Sequence, residues 1–314
     1  MSAAAPPILC ITGTTGTGKN SIGILVAEAL DTEVISLDSM KVYRGMDVGT
    51  AKPDAADLGR VRHHLIDVID PDDRMDLARF IGLAEAAVAE LAARGRDAVA
   101  VGGTAMYLNG LVYGVHDGPS RDEGFRAALR EERDRIGVAA LHARLAALDP
   151  ASAARIDPHD YRRIERALEV AATGERPLGE SERRWFREPR HRALLRILTW
   201  PREELRQRID RRIDRMLEEG WIEEVSRIEA GGGFSEEAAM ALGYREILAH
   251  LAGDLGRERM VERIKTKTWQ FARRQLTWMK KYRDGEVILL SAADTHESVA
   301  ARLLSDWAAF KSRP

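Results

Sequence analysis

The chain has 314 residues, 45% of them hydrophobic and 31% charged, with a formal net charge of −2 at pH 7. This excludes a long disordered chain and leaves room for one large or two modest domains. It also shows no global basic excess of the kind that marks a nucleic-acid binder, so any basic surface must be local. The single Cys10 excludes an internal disulfide and, inside the apolar run PILCIT, reads as a buried strand residue. The N-terminus lacks a positive n-region, and no segment approaches the roughly 20 apolar residues that span a bilayer. A cytoplasmic monomer without membrane contact is expected.

In chain order, β-branched runs alternate with helical patterns: a strand over 8–12, a helix from about Lys19 to Leu30, a strand over 33–37, a helix near 76–94 and a strand over 97–103. That rhythm predicts a parallel sheet with crossover helices, an α/β core. From 120 to 196 the β-branched runs disappear. This stretch holds 17 Arg, no Lys and 14 acids, net +3, and reads as a separate helical module. LLRILTW (194–200) then returns to the sheet, which makes the module an insertion between core segments 1–119 and 197–314. From 202 the pattern is helical to about 283, apart from the loop AGGGFS (230–235). EVILLSA (286–292) is the last strand, and a helix follows it.

GTTGTGKN (13–20) follows an apolar strand and opens a helix, the context in which the pattern G-x-x-x-x-G-K-[ST] becomes a phosphate-cradling loop. Gly16 and Gly18 let backbone N–H groups approach anionic oxygens, the helix N-terminus adds positive potential, and Lys19 adds a charge. Asn20 stands where a hydroxyl would help hold magnesium, and Ser21 is one residue late. Asp38 lies at the carboxyl edge of the second strand, where open α/β sheets bind ligands, although an Asp there also suits a turn. The third long strand ends in VGGT, with Thr104 and without the acid that phosphoryl transfer uses to arrange its metal.

Two helices carry local charge. In 202–217, Leu205, Ile209, Ile213, Met216 and Leu217 form an apolar stripe, with Arg208 and Arg212 on one flank. Pattern alone fits a solvated face with Asp210 and Asp214 as partners. The run 262–283 has eight basic residues against one Glu, interleaved with Trp269, Phe271, Trp278 and Tyr282, which suits an RNA groove in which the charges bind and the Trp residues mainly pack. RRWFREPRHR (183–192) is a third basic patch, a candidate clamp for an RNA stem. His63 and His64 have no third ligand at metal spacing and read as structural.

GTTGTGKN, DSMKVYRGMDVGTAKP (38–53), HHLIDVIDP (63–71), VGGTAMYLNGL (101–111), RRIERALEV (162–170), ALGYREI (241–247) and RRQLTW (273–278) resemble, in this order, the motifs of the tRNA dimethylallyltransferases. The resemblance implies a P-loop NTPase-like parallel sheet core with an inserted all-helical domain. It also implies transfer of the dimethylallyl group from dimethylallyl diphosphate to N6 of adenosine 37 beside the anticodon. Diphosphate is then the leaving group, held by Gly13, Thr14, Thr15, Gly16, Thr17, Gly18, Lys19 and Asn20, with Arg208 and Arg212. Mg²⁺ is the implied cofactor, with Asn20 as its weak ligand, directly or through a water, where members usually carry Ser or Thr.

By the same resemblance Asp38 takes the proton from the adenine amine, and Lys19, Thr104 and Arg212 complete the catalytic set. The implied contacts to the tRNA anticodon stem-loop are Asp38, Ser39, Met40, Lys41, Thr104, Arg126, Arg162, Arg163, Ile164, Glu165, Arg166, Met240, Ala241, Leu242, Gly243, Tyr244, Arg245, Arg274 and Gln275. Lys41 stands where many members carry Gln. A P-loop small-molecule kinase is the alternative enzyme, and an RNA-binding protein with a degraded loop the non-enzymatic one.

Overall fold

The five predicted strand runs pair in one sheet of a computed structural model that describes residues 6–114, 122–173, 189–282 and 284–313. They are β1 (Ile8–Gly13), β2 (Val34–Ser36), β4 (Ala98–Gly102), β5 (Ala193–Thr199) and β6 (Gly285–Leu289). A two-residue edge strand that no periodicity could reveal, β3 (His63–His64), completes the order β3-β2-β4-β1-β5-β6, parallel throughout. Every residue of β1 and β4 is buried, because crossover helices cover both faces of a parallel sheet. Cys10 is buried in β1, and burial pushes its thiol up to about 12, so it is an inert core residue.

β1 is central and runs directly into the phosphate loop and the helix Lys19–Ala29. The helix Leu77–Ala93 starts at Asp76, whose carboxylate accepts from Arg79 N, and the helix His296–Lys311 starts in a capping box of Thr295 and Ser298. Four helices occupy the stretch expected to be helical between 202 and 283: Arg202–Glu218, Trp221–Ala230, Tyr244–Leu251 and Arg257–Met279. Left-handed Gly220, Gly243 and Gly253, with φ of 93°, 87° and 84°, lie in the three breaks, and the middle break is longer than AGGGFS and includes a 3-10 turn at Ala238–Met240. β6 ends at Leu289, short of the expected 292.

His64 donates through Nε2 to Glu33 at 2.7 Å, a structural role as expected. Arg94 and His64 hold the Glu33 carboxyl down to about 2 against the opposing effect of burial.

The chain divides into a unit formed by Met1–Val112 with Pro189–Pro314, and a second unit, Tyr113–Glu188. The expected module of 120–196 therefore shifts towards the N-terminus, because 193–196 are already in β5, paired with β1. Within the second unit, Leu129, Leu141, Leu145, Ile164 and Leu168 form the core of a bundle whose helices include Glu123–Ile136, Val138–Leu148 and Tyr161–Ala172. Arg126 makes a fork to Glu169 at 2.8 and 2.7 Å, joined by Arg166 and the Asp122 N–H. Burial pushes the Glu169 carboxyl up, but these partners outweigh it and hold it at about 2. The patch 183–192 lies outside the described residues up to 188. Of the rest, Arg192 caps the last helix through Phe310 O, and Arg190 pairs with Glu85.

Candidate active site

Backbone sterics shape the phosphate loop first. Gly16 and Gly18 have φ of 82° and 79°, and the helix behind them begins with no side-chain cap, which leaves its first N–H groups for an anion. Lys19 Nζ and Thr17 Oγ1 both donate to Thr14 O, at 3.2 and 3.0 Å. Arg208 lies 4.3 Å over the Trp200 ring and donates to Gly16 O at 3.1 Å, so this expected diphosphate ligand braces the loop in the free protein. Asn20 donates through its amide nitrogen to Ala51 O at 3.4 Å.

The neighbouring strand ends are tied together across the sheet. Thr104 N donates to Leu37 O at 3.2 Å, and Ser39 N donates to Thr104 Oγ1 at 3.1 Å. Asp38, between Leu37 and Ser39, accepts from Met40 N at 3.0 Å through one carboxylate oxygen. These contacts set Asp38 and Thr104 side by side at the carboxyl edge of β2 and β4.

A pocket of 370 Å³ joins these parts. Thr15, Lys19, Asn20, Asp38, Lys41, Thr104 and Arg212 form its polar wall, and Met40, Met240, Ala241, Leu242 and Phe271 give it apolar surface, with Arg274 and Gln275 also lining it. A second pocket of 470 Å³ lies against the same loop, bounded by Gly16, Gly18, Arg208, Arg211, Arg215 and His296. Lys19, Asn20 and Arg212 line both. The site thus offers a polyanion cradle open to a mixed polar and apolar chamber that contains one carboxylate.

Crowded cations tune this cradle. Burial, then the charges of Arg212 and Lys41, push Lys19 down to about 7, against the pull of Asp38. Burial likewise pushes Lys41 down to about 8, with Asp38 opposing and Arg212 and Lys52 assisting, and it lowers Arg212. A bound polyanion favours the charged ammonium forms and raises both lysine values again. Binding of inorganic diphosphate is therefore expected to take up protons above about pH 7 and to weaken as pH rises from about 7 to 9. Calorimetry at pH 8 in two buffers of different ionisation enthalpy measures this, and zero proton uptake would contradict it.

Of the expected RNA contacts, Asp38–Lys41 and Met240–Leu242 converge on the pocket. Gly243 and Tyr244 do not line it: a Cβ on Gly243 would lie 2.2 Å from the Trp221 ring, and Tyr244 is fully buried. Arg245 and Arg274 are exposed. Arg126 and 162–166 belong to the second unit, where Ile164 is core, Glu165 accepts from Tyr161, Arg126 and Arg166 engage Glu169, and Arg162 and Arg163 are exposed. On the helix Arg257–Met279, Lys265 pairs with Asp214 and Lys267 with Glu246, while Arg263, Arg273 and Arg274 are exposed. Trp269 lies under Arg202 and Trp278 under Lys281, and Tyr282 is buried. Arg283 lies outside the described residues.

Two residues missed in the sequence hold the loop 41–52 in place. Glu224 accepts from Asp47 N, Val48 N and Gly49 N at 2.7, 2.6 and 3.1 Å, and from Tyr244 Oη at 2.6 Å, while 2% exposed. Lys52 donates to Tyr43 O, Asp47 and Asp67. Glu224 had a signal: it sits at i+3 from Trp221, on the stripe that also carries Val225, so an acid occupies an apolar face.

A parallel sheet whose central strand feeds a phosphate loop, with a carboxylate facing the same pocket, defines a P-loop α/β protein built to hold an anion beside a second reactant. The chain belongs to the IPP transferase family, whose profile matches residues 41–282; that of isopentenyl transferase matches 6–74. The tRNA dimethylallyltransferase of Anaeromyxobacter dehalogenans (strain 2CP-C) is 43% identical over 296 residues, 94% of this chain and 98% of that one. That of Symbiobacterium thermophilum is 44% identical, over 88% and 87%. Among solved structures, the tRNA isopentenylpyrophosphate transferase of Bacillus halodurans is 33% identical with a TM-score of 0.70, covering 98% of this chain and 99% of that one. A eukaryotic dimethylallyltransferase acting on tRNA is 28% identical with a TM-score of 0.81, covering 98% and 80%. Among the described residues no helix is long and apolar enough to cross a membrane.

Proposed function

We propose that this protein transfers the dimethylallyl group of dimethylallyl diphosphate to N6 of adenosine 37 in tRNA, next to the anticodon, and releases diphosphate. One observation carries the reading: a phosphate loop and the carboxylate of Asp38 open on one pocket that also has an apolar wall. The diphosphate fits the loop amides, Lys19 and Arg212, and the five-carbon group fits the surface of Met240, Leu242 and Phe271. The allylic C–O bond breaks with its electrons passing to the diphosphate, where backbone N–H groups and Lys19 stabilise the developing charge. The adenine amine forms the new C–N bond and gives its proton to Asp38, a base needed because its lone pair is delocalised into the ring. The base must leave the anticodon-loop stack to reach Asp38, and a single-stranded loop makes this extrusion cheap.

Mg²⁺ fits this donor set as a companion of the diphosphate. Among the described residues no cluster of three or more His, Cys, Asp or Glu forms a metal cage, and Mg²⁺ commonly takes most of its ligands from phosphate and water. Asn20 would offer its amide oxygen, and the ion would neutralise charge on the leaving group. Because an amide oxygen is a weaker ligand in this position than a hydroxyl, the rate is expected to respond less to magnesium in the wild type than in Asn20→Thr. Identical magnesium titrations of the two proteins would contradict this.

Labelled dimethylallyl diphosphate tests the reaction: label is expected to move into unmodified tRNA with release of an equal amount of diphosphate. Transfer of γ-phosphate from ATP to a small metabolite, with no label in tRNA, would instead mark a kinase. The strand end Gly102–Gly103–Thr104 lacks the acid that phosphoryl transfer uses.

A further inference from the structure

Gln275 is a polar side chain on a mainly basic helix, but only 7% of it is exposed, and both its amide oxygen and its amide nitrogen are hydrogen-bonded. Its Oε1 accepts from Thr15 N at 2.9 Å, and its Nε2 donates to Gly103 O at 2.9 Å. One side chain thereby ties the phosphate loop to the end of β4, across 260 and 172 residues of sequence. The fit depends on the missing side chain of Gly103, where a Cβ would lie 2.4 Å from the Gln275 amide nitrogen. From Gly103 the connection continues through Thr104 Oγ1 to Ser39 N, beside Asp38.

We propose that Gln275 is a positioning residue that couples the anion cradle to the Asp38 edge, so that donor carbon and acceptor amine meet in register, and that its amide does not read RNA. The proposal rests on the transfer reaction above. By occupying Thr15 N–H, the amide also fixes which loop N–H groups remain for phosphate: those from Gly16 onward. An error of about 1 Å between reacting groups costs on the order of 10²-fold in rate, whereas anion binding persists on the remaining amides, Lys19 and Arg212.

The test uses the full chain with Gln275→Met, which keeps the side-chain bulk without the hydrogen bonds, Gly103→Ala, and the double variant. Each single variant is expected to lose about 30-fold or more in kcat, with tRNA affinity and inorganic diphosphate affinity within about threefold of wild type. The double variant is expected to be no worse than the poorer single one, because both act through one contact. Without any substrate, the Thr15 amide proton is expected to exchange faster with solvent in Gln275→Met than in wild type. A kcat within threefold of wild type, a loss of tRNA affinity in proportion to kcat, additive losses, or unchanged Thr15 exchange would each overturn the proposal. A wild-type protein that makes no prenylated tRNA, with Thr15 exchange responding as expected, would overturn the reaction while the brace stands.

Discussion

Replacing Asp38 by alanine is expected to lower prenyl transfer by about 10³-fold while tRNA binding stays close to wild type. Among the described residues Asp38 is the one carboxylate lining the pocket that the phosphate loop shares, and one of its oxygens is held by Met40 N. It is surrounded by the positive groups Lys19, Lys41 and Arg212, each of which feels its charge. Replacing the carboxylate removes the proton acceptor without removing the cradle. Single-turnover transfer measured beside filter binding of tRNA separates the two effects. A near-wild-type rate in Asp38→Ala would remove Asp38 as the base, and a parallel collapse of tRNA affinity would make it a binding residue.

Glu224→Ala is expected to destabilise the fold by about 4 kcal/mol. Its two oxygens take four hydrogen bonds in a buried setting, three from consecutive backbone N–H groups, and alanine leaves those donors without acceptors. The anchored stretch Asp47–Gly49 leads straight into Thr50 and Ala51, which line the two loop pockets, so surviving Glu224→Ala protein should also transfer more slowly. Glu224→Gln keeps one acceptor oxygen and is expected to lose about half as much. Urea unfolding midpoints measure both, and a loss under about 1 kcal/mol for alanine would contradict the anchoring role.

Much of this was legible in the chain because strong local signals coincide with the global fold. The loop pattern sits between an apolar strand and a helix, and the fully buried β1 and β4 carry the apolar runs that a sheet covered on both faces accommodates, while β2, β5 and β6 carry shorter runs of the same kind. The fold class and family followed. What stayed hidden depends on contacts between distant segments. β3 is two residues long, and its pairing with Val34 and Ile35 is a tertiary fact. Gly220 and Gly243 break the helical stretch through positive φ, which a helical periodicity does not report.

The site shows the same division. Motif positions pointed to Asp38, Lys19 and Met240–Leu242, which do share a pocket. They could not reveal that Arg208 donates through Nε to Gly16 O, that Arg126 is forked to Glu169, or that the Gln275 amide is buried between Thr15 and Gly103. A charged or amide side chain in a motif reads the same in sequence whether it faces a ligand or a neighbouring loop. Lys41 gains meaning only from its burial beside Asp38, as a second titratable cation in the cradle.

The central claim is that the phosphate loop holds a departing diphosphate while Asp38 readies an adenine amine. Mass spectrometry of nucleosides from unmodified tRNA, after incubation with the purified protein, Mg²⁺ and dimethylallyl diphosphate, tests it most directly. The account predicts adenosine carrying one five-carbon unit on N6, at the position beside the anticodon. Digests containing only unmodified adenosine would contradict it.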